Sequence, residues 1–344
     1  MTAGVWYAED PVCQHWPLSY LSGVPEQAPS AECTIGGISW SEDGKNLLSA
    51  SRGEVSSELR LALHFLDGQG TSMPIAATDD TVSAATLAPD GRHIVIGSVQ
   101  GRLWWFDTDS AEAPPLLVEL PARRGFFTAV AIAPDGRLVA GGTDDGTVHL
   151  CDPDRRSSVR LTAPTQSSFG SLRFAGDGKR LVGSQGNGRI VLWDLNSQER
   201  VQDFAGHEGP ATVADILPDG NRIISVGLED NSVRIWDIAS GRELWRGEFG
   251  LNGVRALAVS PDGRTAAWGG YHNRIIVWDL DRQRKKFEIA TTATSIYHLR
   301  FSPHGTALAA GGTGEFIRLY DPRTGAEIKS VEVARPLGGR RAGV

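Results

Sequence analysis

The segment LAVSPDGRTAAWGGYHNRIIVWD, residues 257–279, contains the two markers on which the fold prediction depends. The first is the Pro-Asp-Gly turn that ends at Gly263, and the second is the Trp-Asp pair that ends at Asp279. Variants of the turn recur at intervals of 42 to 47 residues, with their glycines at Gly44, Gly91, Gly136, Gly178, Gly220, Gly263 and Gly305. The second marker recurs at Asp67, Asp107, Asp152, Asp194, Asp237, Asp279 and Asp321. Two marker series in phase predict seven structural repeats.

The spacing between the two markers predicts where the repeats differ. The aspartate follows the glycine by 16 residues in five repeats, by 17 in the fifth and by 23 in the first. The first repeat therefore has seven extra residues, which we place around residues 52–58, between its second and third strands. A longer exit from the second repeat lies at residues 108–115. Loops carry function more often than strands do, so these two insertions are either functional loops or surface drift that the fold tolerates.

Each repeat has the pattern of four short strands. The positions four and six residues before each repeat glycine are apolar, as at Val259 and Leu257 before Gly263. Alternation with period two is typical of a strand with one buried face. The Asp-Gly pair then reverses the chain, because glycine accepts a positive φ without steric cost. A second strand, a third that ends at the aspartate, and a more polar fourth, as at residues 242–249, complete a unit that must stack on its neighbours to bury both faces.

These motifs resemble the WD-repeat β-propeller family over residues 34–333. Trp-Asp pairs close repeats four, five and six, Ser-Pro-Asp-Gly stands at residues 260–263, and a Gly-His pair ends at His207. The resemblance implies an all-β fold, a seven-bladed β-propeller with four antiparallel strands per blade.

The family places a His, a Ser or Thr, an Asp and the Trp in a hydrogen-bonded network inside each blade. The resemblance assigns His207, Asp230 and Trp236 of repeat five to such a structural network. Repeats four and six keep the tryptophan without the Gly-His pair, and repeats three and seven have Cys151 and Tyr320 in its place. We therefore expect apolar packing between blades to stabilise this propeller more than the polar network does.

The ends of the chain are predicted to be separate from the propeller. Residues 324–333 match residues 240–249 in register, so the C-terminal part should supply the fourth strand of blade seven. Residues 1–33 contain four aromatic residues, and form either a cap docked on the propeller or a partner-binding arm. Residues 334–344 are predicted to be a flexible tail rich in arginine and glycine.

Composition excludes several classes of protein. The 344 residues carry a formal net charge of −7, which does not favour direct sequence-specific binding of nucleic acid. No apolar run reaches the roughly 18 residues of a membrane span, and no secretory signal opens the chain. Three cysteines, Cys13, Cys33 and Cys151, fit neither a disulfide framework nor a metal site. We expect a cytoplasmic protein that is monomeric when isolated.

No catalytic, metal or cofactor motif is present in the sequence, so the expected protein is not an enzyme and uses no cofactor. Three charges, Arg173, Asp215 and Arg300, interrupt the innermost strands, where they either pair with each other and with water or bind an anion. Residues 122–125, Ala-Arg-Arg-Gly, are similar to the Phe-Arg-Arg-Gly motif of phosphoinositide-binding propellers, with Ala122 in place of phenylalanine. The alternative function is therefore a small-ligand, phosphoinositide or catalytic site at the channel mouth.

The favoured function is a non-catalytic scaffold that mediates protein–protein interaction as a subunit of a multi-protein complex. The propeller would bind its partners through the loops that enter the first strands and those that join second to third strands. The candidate contact residues are Arg52, Glu54, Phe126, Asp144, Gln185, Asn187, Glu229, Tyr271, His272, Ser295 and Phe316.

Overall fold

The computed structural model describes residues 34–52, 59–66, 72–75, 81–110, 116–121, 125–249, 253–314 and 316–333. Within these ranges all regular elements are β-strands, which form seven four-stranded antiparallel sheets in chain order. The predicted N-terminal extension, the C-terminal tail and the loop segments 53–58, 111–115 and 122–124 lie outside the described residues.

Every sheet, or blade, uses four consecutive strands. Blade one contains β1 (Thr34–Trp40), β2 (Asn46–Arg52), β3 (Leu59–Phe65) and β4 (Ser72–Ile75), and blade two contains β5 (Val82–Leu87), β6 (His93–Ser98), β7 (Arg102–Asp107) and β8 (Leu116–Glu119). Blade three contains β9 (Phe127–Ile132), β10 (Val139–Thr143), β11 (Thr147–Asp152) and β12 (Ser157–Thr162), and blade four contains β13 (Phe169–Phe174), β14 (Arg180–Gln185), β15 (Ile190–Asp194) and β16 (Glu199–Phe204). Blade five contains β17 (Ala211–Ile216), β18 (Arg222–Gly227), β19 (Ser232–Asp237) and β20 (Glu243–Glu248). Blade six contains β21 (Val254–Val259), β22 (Thr265–Gly270), β23 (Arg274–Asp279) and β24 (Arg284–Ala290), and blade seven contains β25 (Ile296–Phe301), β26 (Leu308–Gly312), β27 (Phe316–Tyr320) and β28 (Glu327–Glu332).

The repeat glycine lies in the turn between the first and second strand of each blade, and it follows an aspartate in six blades and His304 in blade seven. All seven repeat glycines have φ between 66° and 73°, a region that side chains rarely adopt. In blade six the carboxylate of Asp262 accepts hydrogen bonds from the backbone of Arg264 (3.0 Å) and the hydroxyl of Ser260 (2.5 Å). The Pro-Asp-Gly signature therefore encodes a turn that its own side chains stabilise.

Apolar packing between neighbouring blades closes the ring. One core lies between blades five and six, where Ile235 and Val226 pack with Leu257 and Trp268. Another joins blade one to blade seven, and its members are Ile38, Leu47, Ala309, Ile317, Leu319 and Val333. Because β1 packs against β25 and β26, the first and last blades are neighbours, as a closed seven-bladed propeller requires.

The C-terminal part supplies the fourth strand of blade seven, as the sequence predicts. β28 pairs antiparallel with β27, with Ile317 opposite Val331. The first repeat requires a correction. Arg180 pairs with the marker Asp194 in blade four, but the equivalent residue of blade one, Asn46, pairs with Phe65 and not with Asp67. Since Phe65 follows Gly44 by 21 residues, against 16 in five of the other repeats, the insertion has five residues and not seven, and the marker Asp67 comes two residues after the paired position.

The two ends of the ring are formed by different loops. The loops that enter the first strands and the turns between second and third strands meet at one end, where Thr294 and Thr313 are joined by a hydrogen bond of 2.8 Å. We call this end the top face. The turns between first and second strands lie at the other end, where Arg180 donates to the backbone oxygen of Gly220 (2.5 Å) in the next blade.

Candidate functional site

In blade five a hydrogen-bonded network joins the top-face loops to the sheet. His207 Nδ1 lies 2.9 Å from Asp230 Oδ2, and His207 Nε2 lies 2.8 Å from the hydroxyl of Ser225. The indole Nε1 of Trp236 donates to the same hydroxyl at 2.8 Å. Ser225, which the sequence prediction did not name, therefore connects the histidine to the tryptophan. Its position five residues after Gly220 is the signal that would have identified it.

A buried arginine extends this network. Arg234 donates to Asp230 (2.8 Å), to Glu243 (2.8 Å) and to the hydroxyl of Ser232 (3.0 Å). Burial opposes ionisation of Asp230, but hydrogen bonds from His207 and Ser232 outweigh it and hold the pKa of this carboxyl below its usual range. The carboxylate therefore stays charged and fixes the turn between β18 and β19 against the loop that enters β17.

Other blades form parts of the network with different residues. In blade four Asn187 donates to the hydroxyl of Thr165 (2.7 Å), and this hydroxyl donates to the side-chain oxygen of Gln185 (3.1 Å). In blade one His64 occupies the register position of Trp236 and lies 2.7 Å from the hydroxyl of Ser49. Burial lowers the pKa of His64 to about 4, so this ring is neutral at pH 7. Buried polar contacts are thus present in blades one and four, whereas the polar network predicted from the sequence lies in blade five.

Blade six replaces the polar network with aromatic side chains. Trp268 occupies the register position of Ser225 and is fully buried, with its ring 5.5 Å from Trp278. From the outer strand of blade five and the residue that follows it, Trp245 lies 5.2 Å from Trp278 and Phe249 lies 4.7 Å from Trp268. The sequence predicts that apolar packing between blades stabilises the propeller, and the interface between blades five and six is packed in this way.

The described residues of blade seven form neither a polar network nor an aromatic cluster at this position. Its top-face end contains a cavity of about 370 Å³. The lining residues are Thr291, Thr292, Ala293, Ile296, Ala310, Gly311, Gly312, Thr313, Gly314, Phe316, Arg318 and Tyr320. Burial raises the pKa of Tyr320, at the position of the tryptophan, to about 12.

The predicted contact residues differ in exposure. Asn187, Glu229 and Phe316 are exposed on the top face, and Asp144, Tyr271 and His272 are half-buried. Phe126, Gln185 and Ser295 are buried, so these three side chains pack inside the blades and do not offer a surface to a partner. Arg52 ends β2, but its side chain and all of Glu54 lie outside the described residues.

Tyr271 has a partner that the sequence prediction missed. The guanidinium of Arg255 lies 4.4 Å from the centre of the Tyr271 ring and donates to its hydroxyl. Burial lowers the pKa of Arg255, and burial also raises the pKa of Tyr271. A charged residue at the second position of the apolar strand β21 is the sequence signal of this stacked pair, which fixes the tyrosine at the rim.

The three charges of the innermost strands are half-buried within the ring. All seven innermost strands contribute to a central channel with a cavity of about 90 Å³, to which Arg173, His298 and Arg300 are exposed. Burial raises the pKa of Asp215 to about 6, and the nearby Arg173 charge opposes the rise. Burial also lowers the pKa of His298 to about 3, with a smaller contribution from Arg173. Arg173 and Asp215 therefore interact electrostatically, whereas Arg300 donates to the backbone oxygen of Leu299 (3.0 Å).

The described residues contain neither a metal-binding cluster nor a membrane-spanning helix. No group of three or more His, Cys, Asp or Glu side chains in those ranges is arranged to hold a metal ion. Nor does that part of the chain contain a helix long and apolar enough to cross a membrane. Cys151 is buried as a free thiol, and burial raises its pKa to about 12.

The seven four-stranded blades define this chain as a β-propeller, and two family models that match the chain agree with this class. The WD domain, G-beta repeat model matches residues 116–152, and the PQQ_2 model, described as outer membrane protein assembly factor BamB, matches residues 155–343. The chain belongs to the WD-repeat β-propeller family.

Individual relatives are similar over most of this chain. It is 26% identical to Protein groucho of Drosophila melanogaster over 254 residues, which are 72% of this chain and 34% of the relative. It is 25% identical to Transducin-like enhancer protein 2 of Mus musculus over 257 residues, which are 73% of this chain and 33% of the relative. The chain thus spans about a third of the length of these two relatives.

Proposed function

We propose that this chain is a non-catalytic scaffold that binds other proteins through its top face and acts as a subunit of a multi-protein complex. The observation that carries the proposal is the fixing of the top-face loops by side chains, as by His207 and Asp230 in blade five and Thr165 and Asn187 in blade four. Loops held in one conformation lose little entropy when a partner binds. The similarity to WD-repeat relatives supports an interaction role.

The groups displayed beside these fixed loops suit recognition of a protein surface. Glu229 and Asn187 are exposed, Phe316 is 39% exposed, and the ring of Tyr271 is anchored at the rim by Arg255. A rigid surface with aromatic and polar groups is typical of protein interfaces. A cytoplasmic location, a monomeric isolated chain and a docking or partner-binding role for residues 1–33 belong to the same proposal.

The test uses the full chain as affinity bait in extract of its native host, with bound proteins identified by mass spectrometry. Two top-face variants, Glu229→Arg and Phe316→Asp, are compared with two outer-strand controls, Glu199→Arg and Ile328→Asp, which introduce the same two residues at other exposed positions. We expect the top-face variants to lose the partners that both controls retain. Retention by the top-face variants together with loss by the controls would contradict the proposal.

An anion at the central channel is the second candidate, and the charges of Arg173 and Arg300 favour it. Inorganic phosphate and inositol hexakisphosphate are the probes. We expect a rise in melting temperature that Arg300→Gln removes if the channel binds anions. No rise with either probe excludes this function.

A further inference from the structure

The cavity of blade seven occupies the space that the polar network fills in blade five. Ala310 pairs with Arg318 as Ser225 pairs with Arg234, and Tyr320 has the register of Trp236. Thr292 precedes its repeat glycine by 13 residues, as His207 does, and Gly314 precedes Ile317 by three residues, as Asp230 precedes Val233. Four network positions are therefore filled by Thr292, Ala310, Gly314 and Tyr320. The histidine imidazole and the aspartate carboxylate have no counterparts among them, and the cavity of about 370 Å³ lies where they would be.

Blade seven keeps the arginine of the network, whereas Gly314 stands in place of the aspartate that binds this arginine in blade five. Arg234 in blade five contacts two carboxylates, those of Asp230 and Glu243. Among the described residues its equivalent, Arg318, keeps the second of these partners alone, since Nη1 donates to both oxygens of Glu327 at 3.1 and 3.2 Å. Within the described part of the chain, Nη2 and Nε of Arg318 have no hydrogen-bond acceptor. The side chain is 23% exposed, against 5% for that of Arg234, so the guanidinium is accessible from the cavity.

The remaining lining defines the chemistry of a ligand. The hydroxyl group of Thr292 can donate to an oxygen, and the ring of Phe316 lies at the mouth with the guanidinium of Arg318 5.8 Å from its centre. A guanidinium with free donors binds a carboxylate more strongly than a neutral acceptor. An exposed aromatic ring beside it favours an apolar group next to that carboxylate. The volume is in the range of known ligand sites, which begins near 300 Å³.

We propose that the blade-seven cavity binds the carboxylate of an Asp or Glu side chain on a partner polypeptide, with an apolar neighbour of that residue packed on Phe316. The incoming carboxylate takes the position that Asp230 has in blade five and binds Nη2 and Nε of Arg318. Blade five provides the precedent, because Arg234 there holds two carboxylates at once in a more buried setting. This inference rests on the proposed function, since it specifies how the top face recognises a partner.

The first experiment measures binding of a minimal probe to the full chain. The probe is N-acetyl-Phe-Asp-amide, observed by saturation-transfer NMR, with N-acetyl-Phe-Asn-amide as the neutral control and glutarate as a carboxylate without a peptide. We expect the Asp probe to bind at least about tenfold more tightly than the Asn probe, as a hydrogen bond to a charged group implies. Equal binding of both peptides would overturn the proposal, and so would glutarate binding as tightly as the Asp probe.

Two variants test the cavity itself. Arg318→Gln removes the cation and Thr292→Trp fills the cavity from an exposed loop position, while Arg274→Gln removes an ion-paired arginine from the equivalent region of blade six as a matched control. We expect both cavity variants, but not the control, to weaken the Asp probe at least about tenfold while each keeps the melting temperature of a folded propeller. Binding that survives Arg318→Gln and Thr292→Trp would show that the probe binds elsewhere.

Affinity capture separates this inference from the function on which it rests. If Glu229→Arg removes partners while Arg318→Gln retains all of them, the cavity proposal fails and the top-face scaffold stands. If the Asp probe binds in an Arg318-dependent way but no top-face variant loses a partner, the scaffold function fails and the cavity remains a carboxylate site.

Discussion

Asn187 donates a hydrogen bond of 2.7 Å to Thr165, and the two residues occupy in blade four the places of Asp230 and His207 in blade five. A threonine and an asparagine thus join the same two loops that a histidine and an aspartate join elsewhere. The contact explains how a blade without the Gly-His pair fixes its top-face loops. The stability of these loops should therefore depend more on buried side chains than on exposed ones.

Gln185 should matter more to stability than its exposed neighbour Asn187. Gln185 is fully buried and its amide donates to the backbone oxygen of Ser167 at 3.0 Å, whereas Asn187 is exposed. Gln185→Leu should lower the free energy of unfolding by about 1–3 kcal/mol, because it removes a fully buried amide and leaves the half-buried backbone oxygen of Ser167 without its donor. Asn187→Ala should cost about 0.5–1.5 kcal/mol. Urea unfolding of the two variants gives the comparison, and a larger loss for Asn187→Ala would contradict this order.

The indole of Trp236 should stabilise blade five more than the imidazole of His207. Trp236→Ala removes a large buried side chain and should cost about 3–5 kcal/mol. His207→Ala should cost about 1–2 kcal/mol, since Asp230 keeps its contact with Arg234. Calorimetry and urea unfolding measure both, with Val201→Ala at an exposed position of the outer strand of blade four as the control. A costlier histidine change would show that the polar network outweighs packing.

The outer strand of blade five contains an internal control for the aromatic cluster. Trp245 lies 5.2 Å from Trp278, whereas the adjacent Leu244 is 55% exposed. Trp245→Ala should cost about 2–4 kcal/mol, because it opens the contact between blades five and six. Leu244→Ala should change the free energy of unfolding by no more than about 0.5 kcal/mol. Similar losses for the two variants would be inconsistent with the cluster as a stabilising interface.

Asp215 should give the channel a measurable pH dependence. Burial raises its pKa to about 6, so between pH of about 4 and 6 the folded protein retains a proton that the unfolded chain has released. The favourable contribution of Asp215 to the free energy of unfolding is therefore fully present below pH of about 4, and it is lost as the pH rises to about 6. Asp215→Asn cannot ionise, so its free energy of unfolding relative to wild type should rise from pH 4 to 6 and then level off. A difference that stays constant from pH 4 to 7 would contradict the raised pKa.

The insertion of repeat one should affect binding without affecting folding. Residues 53–57 lie between β2 and β3, and their deletion shortens only a connection. The free energy of unfolding should change by about 0.5 kcal/mol or less, while affinity for a captured partner should fall. Biolayer interferometry with the deletion variant and the Glu199→Arg control measures this fall. If the deletion variant binds the partner with wild-type affinity, this loop is not part of the proposed binding surface.

The sequence by itself determined the number of blades, the seven glycine turns, of which six are Asp-Gly, and the limits of most strands. These features are local, because a turn glycine at φ near 70° and an alternating apolar strand are specified by adjacent residues and repeat in each unit. The blade-five residues His207, Asp230 and Trp236 were also predictable, since their family motif is intact. The position of Asp67 gave the wrong length for the insertion in repeat one, because register is set by pairing between strands and not by distance along the chain.

Only the tertiary structure decided which side chains complete the networks and which blade has a cavity. Thr165 and Asn187 are 22 residues apart, and neither is distinctive until the sheet brings the two loops together. Gln185 reads as a polar loop residue, yet it is fully buried because the end of β14 directs it inward. The cavity of blade seven likewise depends on four residues from separate segments of the chain, which stand where blade five has its network residues. Close packing couples such distant positions, and that coupling is a property of the folded ring and not of any single repeat.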